Sequence, residues 1–160
     1  MLDYAYKYQN LVAQLFTENV THPDCKYFQE GTYLHMHWKA YPDTWKEIQK
    51  VSISKSGDEV LGLLEARVNR DSYFIENFSF ISFERGNSLF IEDIKSFIRE
   101  LQNKKFRKIR LSCWDKNPKR ETIESILKEF NADLVGVFKN EALINGEYND
   151  QLIYEIETPK

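Results

Sequence analysis

Between Tyr73 and Trp114 the chain reads as a strand, a helix and a second strand, and few folds accommodate that unit. Tyr73 to Phe83 carries apolar residues on both alternating sets. Phe74, Phe78 and Phe80 make one, and Tyr73, Ile75 and Ile81 the other. A strand that is apolar on both sides is covered on both sides, and so belongs inside a sheet. Ser88 to Gln102 then takes the period of a helix. Phe90, Ile94, Phe97, Ile98 and Leu101 form its apolar stripe, and Glu92, Asp93, Lys95 and Arg99 are expected to face water. Lys108 to Trp114 returns to a strand. Such a unit makes a right-handed crossover between parallel strands. Open α/β sheets hold ligands at the carboxyl ends of their strands, here Phe83 to Ser88 and Trp114 to Asn117.

The rest of the chain extends this core. Tyr4 to Phe16 has helical spacing, and Pro42-Asp43-Thr44 reads as a helix start leading into Trp45, Ile48 and Gln49. Val51 to Ile53 and Val60 to Val68 are strands joined at Ser56-Gly57-Asp58, and Asn69-Arg70-Asp71 is a tight turn. Pro118 to Phe130 is a second amphipathic helix, with Asn131 where a left-handed cap is needed. Leu134 to Phe138 and Gln151 to Ile156 are the closing strands, linked through the turn signal Asn145-Gly146. The order from Val60 onward is strand, strand, helix, strand, helix, strand, strand. It predicts one α/β domain over residues 1–160, with an aromatic-rich variable segment at 1–50 and the core sheet and helices at 51–157.

Composition removes several function classes. At 160 residues with 42% hydrophobic and 29% charged content, the chain is long enough for one core and too apolar for disorder. No apolar run reaches the ~20 residues of a membrane span, and the start MLDYAYKYQN lacks the layout of a secretory signal. Two cysteines, Cys25 and Cys113, are too few for a disulfide framework, so a reduced cytoplasmic protein is expected. His35 and His37 would share a strand face, with His22, Asp24 and Cys25 upstream, but no third ligand is evident and no metal site is expected. A net charge of −3 argues against a nucleic-acid partner, although Lys104 to Arg120 is locally basic.

Three stretches carry a family likeness. They are ISFERGNSLFIEDIKSFI at the first strand-to-helix turn, KFRKIRLSCWDKNPKRETIESILKEF over the next strand and helix, and the closing VGVFKNEALINGEYNDQLIYEIE. Together with the element order they resemble the GNAT acyltransferase superfamily over roughly Val51 to Glu157. The stretch WKEIQKVSISKSGDEVLGLLEA also looks like the start of small GNAT-like proteins of bacterial and phage genomes. The resemblance implies a mixed, mostly antiparallel sheet with a central parallel strand pair and flanking helices. It also implies acetyl-CoA or CoA as cofactor, and transfer of an acetyl group to the amine of a small molecule or peptide.

The resemblance assigns residues as well. Arg85, Gly86, Asn87 and Ser88 fall where the family cradles the cofactor pyrophosphate on backbone N–H groups at a helix start. The match is degenerate, because Ser88 and Phe90 stand where the family has glycine or alanine. Phe80 and Ile81 would flank the pantetheine arm, and Asn117 matches a family asparagine after the next strand. Glu65 and Glu76 are the strand carboxylates nearest the expected cleft, and Glu76 shares the parity of Phe78 and Phe80, which makes it the candidate base. The family's helical tyrosine has no match. Counting from Asn117 places Glu124 there, and counting back from Gly136 places Leu127. Tyr148 or Tyr154 could supply the acid, Tyr148 being the candidate. Two further readings stay open: a GNAT-fold binding or regulatory protein without chemistry, and a GNAT-like enzyme acting on nucleic acid. A monomer or a homodimer suits any of them.

Overall fold

The computed structural model describes residues 1–19, 23, 27, 46–83 and 87–158. Seven strands form one sheet: β1 (Leu2–Tyr4), β2 (Glu47–Ile53), β3 (Val60–Asn69), β4 (Phe74–Ser82), β5 (Lys108–Trp114), β6 (Asp133–Ile144) and β7 (Glu147–Glu157). The helices are α1 (Gln9–Asn19), α2 (Ser88–Asn103) and α3 (Arg120–Glu129). The spatial order is β1-β2-β3-β4-β5-β7-β6, so β4 is central, as its two-sided apolar pattern requires. Every neighbouring pair is antiparallel except β4 and β5.

Turn chemistry fixes the corners. Asn145 and Gly146 both take positive φ, 52° and 84°, which matches the twist of a two-residue hairpin between β6 and β7. Asn131 ends α3 with φ 51°, the left-handed step that asparagine tolerates better than most residues.

Two apolar cores form, one on each face of the sheet. The larger packs α2 and α3 on one face, through Phe97, Ile98, Leu101, Ile126 and Leu127 against Leu64, Phe78, Ile109, Leu111 and Ile156. The smaller packs α1 and the chain before it on the other face, through Val12 and Ala5 against Val51, Leu63 and Ile81. Phe90 is the first core residue of α2. Its ring lies so close to Gly62 that a Cβ there would collide with it, so β3 needs a glycine at this contact.

Three expectations are corrected. Helical spacing from Tyr4 gives way to strand β1 and a single 3-10 turn at Ala5–Tyr8, and α1 begins only at Gln9. Leu2 to Tyr4 pairs with Lys50 to Ser52, and sheet pairing overrides local period here. Ile48 and Gln49 are not helical. They lie in β2, paired with Ala66 and Glu65, while Pro42 to Trp45 lie outside the described residues. Asp93 does not face water. It is buried, accepting hydrogen bonds from the Ser52 hydroxyl (2.6 Å) and the Met1 amino group (2.8 Å), which ties α2 to the first strands.

Candidate functional site

The site starts at the one parallel junction. β4 and β5 hold a register partnership at Ile75 and Ile109, near the starts of both strands. Beyond it a cleft of about 40 Å³ lies between them, lined by Phe78, Phe80, Ser112, Trp114, Asn117 and Ile123 among others. A space of that size takes a few waters or a narrow chain. It spans the middle of β4 and the carboxyl end of β5, reaching Trp114 and Asn117 of the segments the sequence points to and none of the described residues among Phe83 to Ser88.

Backbone geometry gives the cleft its polar wall. The Phe83 N–H donates to the Leu61 carbonyl (2.9 Å), so Leu61 and Phe83 form a hydrogen-bonded antiparallel pair. Such pairs recur at every second residue. Ile81, Ser79 and Asn77 therefore direct their backbone groups to β3, opposite Leu63, Glu65 and Arg67. Phe78, Phe80 and Ser82 turn theirs toward β5. Phe80 therefore lines the cleft, whereas the Ile81 backbone serves β3 and its side chain packs in the smaller core under α1.

At the carboxyl end of β4 the chain enters α2. Asn87 caps this helix, its Oδ1 accepting from the Leu89 N–H at 2.9 Å, and Ser88 opens the first turn. One of the free N–H groups of a helix start is therefore occupied by the cap. Arg85 and Gly86 lie outside the described residues. Across the cleft, Asn117 is 5% exposed. Its Oδ1 accepts from the Lys119 N–H (2.8 Å), and its carbonyl accepts from the Arg120 N–H (2.9 Å). It therefore shapes the turn from β5 into α3 while lining the cleft. The described residues fit the narrow arm of an acyl-CoA. A close phosphate approach finds a weaker fit, since the bulky Phe90 occupies the position where the family is small.

The proposed acid and base fall elsewhere. Glu76 sits at a bulge, because Val68 pairs with Ile75 and Arg67 with Asn77, leaving Glu76 without a partner position. It accepts from the Asn69 side chain (3.3 Å) beside the β3–β4 turn, at the pinned end of the junction. Tyr148 is 62% exposed on the outer hairpin. Neither belongs to the described cleft lining, and sequence parity could not show this, since one bulge residue cancels it. Glu65 is better placed. It stands opposite Ser79, which lines the cleft, and accepts from the buried Gln49 amide at 2.7 Å.

A third cluster lies under α3. The Tyr154 hydroxyl donates to Glu124 (2.7 Å), which also accepts from Arg120 (2.8 Å). These bonds, the Tyr154 one foremost, hold the Glu124 carboxyl below its usual range. Burial, and then the bond to Glu124, push the Tyr154 phenol well above its own. The neighbouring Cys113 thiol is pushed up to about 12, chiefly by burial. Glu124 is one of the two positions, with Leu127, that counting offers for the family tyrosine, and here a tyrosine reaches it from β7. Strand and helix are tied together there.

The basic run from Lys104 to Arg120 is largely neutralised. Lys104 pairs with Glu100, Lys108 and Arg110 with Glu155, Lys116 with Glu147, and Arg120 with Glu124. No metal-holding cluster occurs among the described residues, and His22, Asp24, Cys25, His35 and His37 lie outside them. No described helix is long and apolar enough to cross a membrane.

The same architecture recurs in solved structures. A spermidine N-acetyltransferase from Vibrio cholerae, in complex with CoA and spermine, superposes with a TM-score of 0.74 at 18% identity, covering 99% of this chain and 95% of that one. The fold is that of the GNAT N-acetyltransferases. A ribosomal-protein alanine acetyltransferase from Vibrio fischeri gives a TM-score of 0.73 at 13% identity, covering 100% and 92% of the two chains. An N-acetyltransferase from Staphylococcus aureus gives 0.72 at 16%, covering 99% and 98%. No family model matches the chain, and no curated protein sequence does. At this identity the GNAT fold is established and the chemistry rests on the residues.

Proposed function

We propose that this chain is an N-acyltransferase that moves an acyl group, acetyl in the simplest case, from acyl-CoA to an amine. The observation that carries the reading is the β4–β5 junction, which is in register at Ile75 and Ile109 and followed by a cleft along which Phe78 and Phe80 turn their backbone groups. Acyl-CoA supplies the activated thioester. The Phe80 and Phe78 N–H groups face the position where negative charge develops on the thioester oxygen. Asn87, Ser88, Arg85 and Gly86 hold the pyrophosphate at the start of α2, and Asn117 bounds the cleft on the β5 side. Glu65 takes the amine proton, directly or through a water, which replaces Glu76 and Tyr148 as the centre of the acid–base chemistry. Glu65, beside the cleft on this face of the sheet, supplies a carboxylate toward which a cationic amine is drawn. The protein works as one domain in the cytoplasm.

A second reading, a binding protein that keeps the fold without chemistry, draws on one observation: the buried Phe90 where close approach to phosphate calls for a small residue. Nucleic acid is a poor fit as substrate, because five of the eight basic residues in the run are held in internal ion pairs.

Acetyl-CoA added to the protein decides between the first two. At ~100 times its dissociation constant a ligand contributes about 2.7 kcal/mol, which raises the melting temperature by on the order of 5–10 °C for a chain of this size. Arg85→Ala should shrink that rise. Thiol release from acetyl-CoA in the presence of a panel of amines then reads the transfer. No thermal shift at saturating cofactor would sink the acyltransferase reading.

A further inference from the structure

The two ends of α3 are held differently. Its carboxyl end is tied to α2, where Lys95 reaches Glu129 at 2.7 Å. Its amino end has no capping side chain, since Lys119 stands at the cap position and makes no such bond. The start of α2, by contrast, is capped by Asn87. Yet the amino end of α3, with the turn that leads into it from β5, walls the cleft through Trp114, Asn117 and Ile123.

Hydrogen bonds close a ring around that end. From β7, the Tyr154 hydroxyl donates to Glu124 Oε1 (2.7 Å). Arg120 donates to the same oxygen through Nε (2.8 Å) and to the Asp115 carbonyl through Nη1 (3.3 Å). The Asp115 N–H donates to the Asp150 carbonyl (3.0 Å), and the Asp150 N–H to Asp115 Oδ1 (2.8 Å). The ring leaves β7 at Tyr154, passes through α3 and returns to β7 at Asp150. It encloses the turn that carries Asn117.

This wall depends on such support. The register pair of β4 and β5 lies at Ile75 and Ile109, near the starts of both strands. The far end of β5 takes its place from β7 instead, where Trp114 pairs with Gln151. The ring binds α3 to that same strand, so turn, helix start and strand end form one body. A cleft of about 40 Å³ is sensitive to where its wall stands. A gap of ~0.5–1 Å already forfeits about a quarter to a half of a contact's attraction.

The chemistry of the ring suits holding rather than proton transfer. Tyr154 is buried and is not among the residues that line the cleft. Its proton is committed to Glu124, and burial, together with that bond, keeps the phenol well above its usual range. The bonds from Tyr154 and Arg120 keep Glu124 ionised.

We propose that Tyr154, Glu124 and Arg120 are positioning residues, a latch that sets the β5–α3 wall of the cleft and through it the affinity for the acyl-CoA arm. The proposal rests on the acyl-CoA reading above. Tyr154→Phe tests it, because the variant loses one oxygen and keeps the packed ring. In the ligand-free chain, amide hydrogen exchange from Asn117 to Glu124 should rise about tenfold or more, with α2 unchanged. In the same variant the dissociation constant and the KM for acetyl-CoA should rise about tenfold, while kcat stays within about twofold. Glu124→Gln keeps an acceptor oxygen for the phenol and for Arg120, and should fall between the wild type and Tyr154→Phe on both readouts. Unchanged exchange in Tyr154→Phe overturns the proposal, since the ring then does not hold the turn. Raised exchange with unaltered acetyl-CoA affinity overturns it too, by confining the latch to folding. A kcat lowered about 100-fold at an unaltered KM overturns it in favour of Tyr154 as proton donor. A wild type that binds no acetyl-CoA sinks the acyltransferase reading and the affinity claim with it. The exchange measurement needs no ligand, and so tells that failure apart from a latch that never held.

Discussion

The two faces of the sheet at β3, β4 and β5 carry opposite chemistry on the same strands. Toward α2 and α3 stand Leu64, Phe78, Ile109 and Leu111, all buried. Toward the other side, one residue away in sequence, stand Glu65, Ser79, Arg110 and Ser112, none of them fully buried. Alternation along a strand makes such a split possible at every step. What it teaches is a division of labour. One face is filled to hold the fold, and the other is left polar where the cleft opens through the sheet. Substitutions on the first face should register in stability, and substitutions on the second in turnover.

The largest effect is expected on the packed face. Phe97 is fully buried, its ring 5.8 Å from that of Phe78. Phe97→Ala should cost about 3–5 kcal/mol, measurable as a lowered urea midpoint. Activity should fall only as the folded fraction falls. Next comes the polar face. Glu65→Gln should lower kcat by about 100-fold or more, while the unfolding free energy falls by only about 1 kcal/mol as the bond from Gln49 loses its charged acceptor. Normal turnover in that variant would remove Glu65 from the mechanism and break the division of labour. Gly62→Ala tests the packed face from the strand side. Its new methyl collides with the Phe90 ring and the Ile81 carbonyl, for about 1–3 kcal/mol of overpacking. A Phe90→Leu background should recover part of that loss.

The smallest effect involves Glu155 on the polar face, and it depends on pH. Burial pushes this carboxyl up, but hydrogen bonds from Lys108 and Arg110 outweigh it and hold the group below its usual value. A carboxyl whose folded-state pKa is depressed stabilises the protein above the unfolded-state value, ~4.3 for a glutamate. That contribution disappears as pH falls through the folded-state value. Glu155→Gln should therefore melt slightly below the wild type at pH 7, and the two curves should converge in the acid range below about pH 4. A gap that persists in acid would assign the effect to packing rather than to charge.

Much of the core is legible in the sequence because its signals are local. The α2 stripe from Phe90 to Leu101, the turn at Asn145-Gly146 and the cap at Asn131 each depend on residues a few positions apart. The misread elements depend on distant partners. Leu2 to Tyr4 becomes a strand only because Lys50 to Ser52 lies beside it, and Asp93 is buried only because Ser52 and the Met1 amino group converge on it. That the cleft lies at the β4–β5 junction follows from the order of elements. Which carboxylate and which tyrosine stand beside it does not. Glu76 loses its parity at a bulge that no composition rule marks, and Tyr148 looks the same in sequence whether it stands on a solvent-facing hairpin or in a pocket. The place of Glu65 beside the cleft has one sequence signal, its position two residues after the buried Leu63 on a strand next to β4.

The partial joining of β4 to β5 has a consequence for how the molecule breathes. β1 to β4 form one antiparallel ladder and β5 to β7 another, and the two share a single parallel seam secured near Ile75 and Ile109. A ladder resists opening in proportion to its rungs, so thermal fluctuation should widen the seam beyond that point at less cost than melting either half, while the core shared under α2 and α3 keeps the halves joined. Admission of a bulky guest is then a local event, complete while the rest of the sheet stays closed.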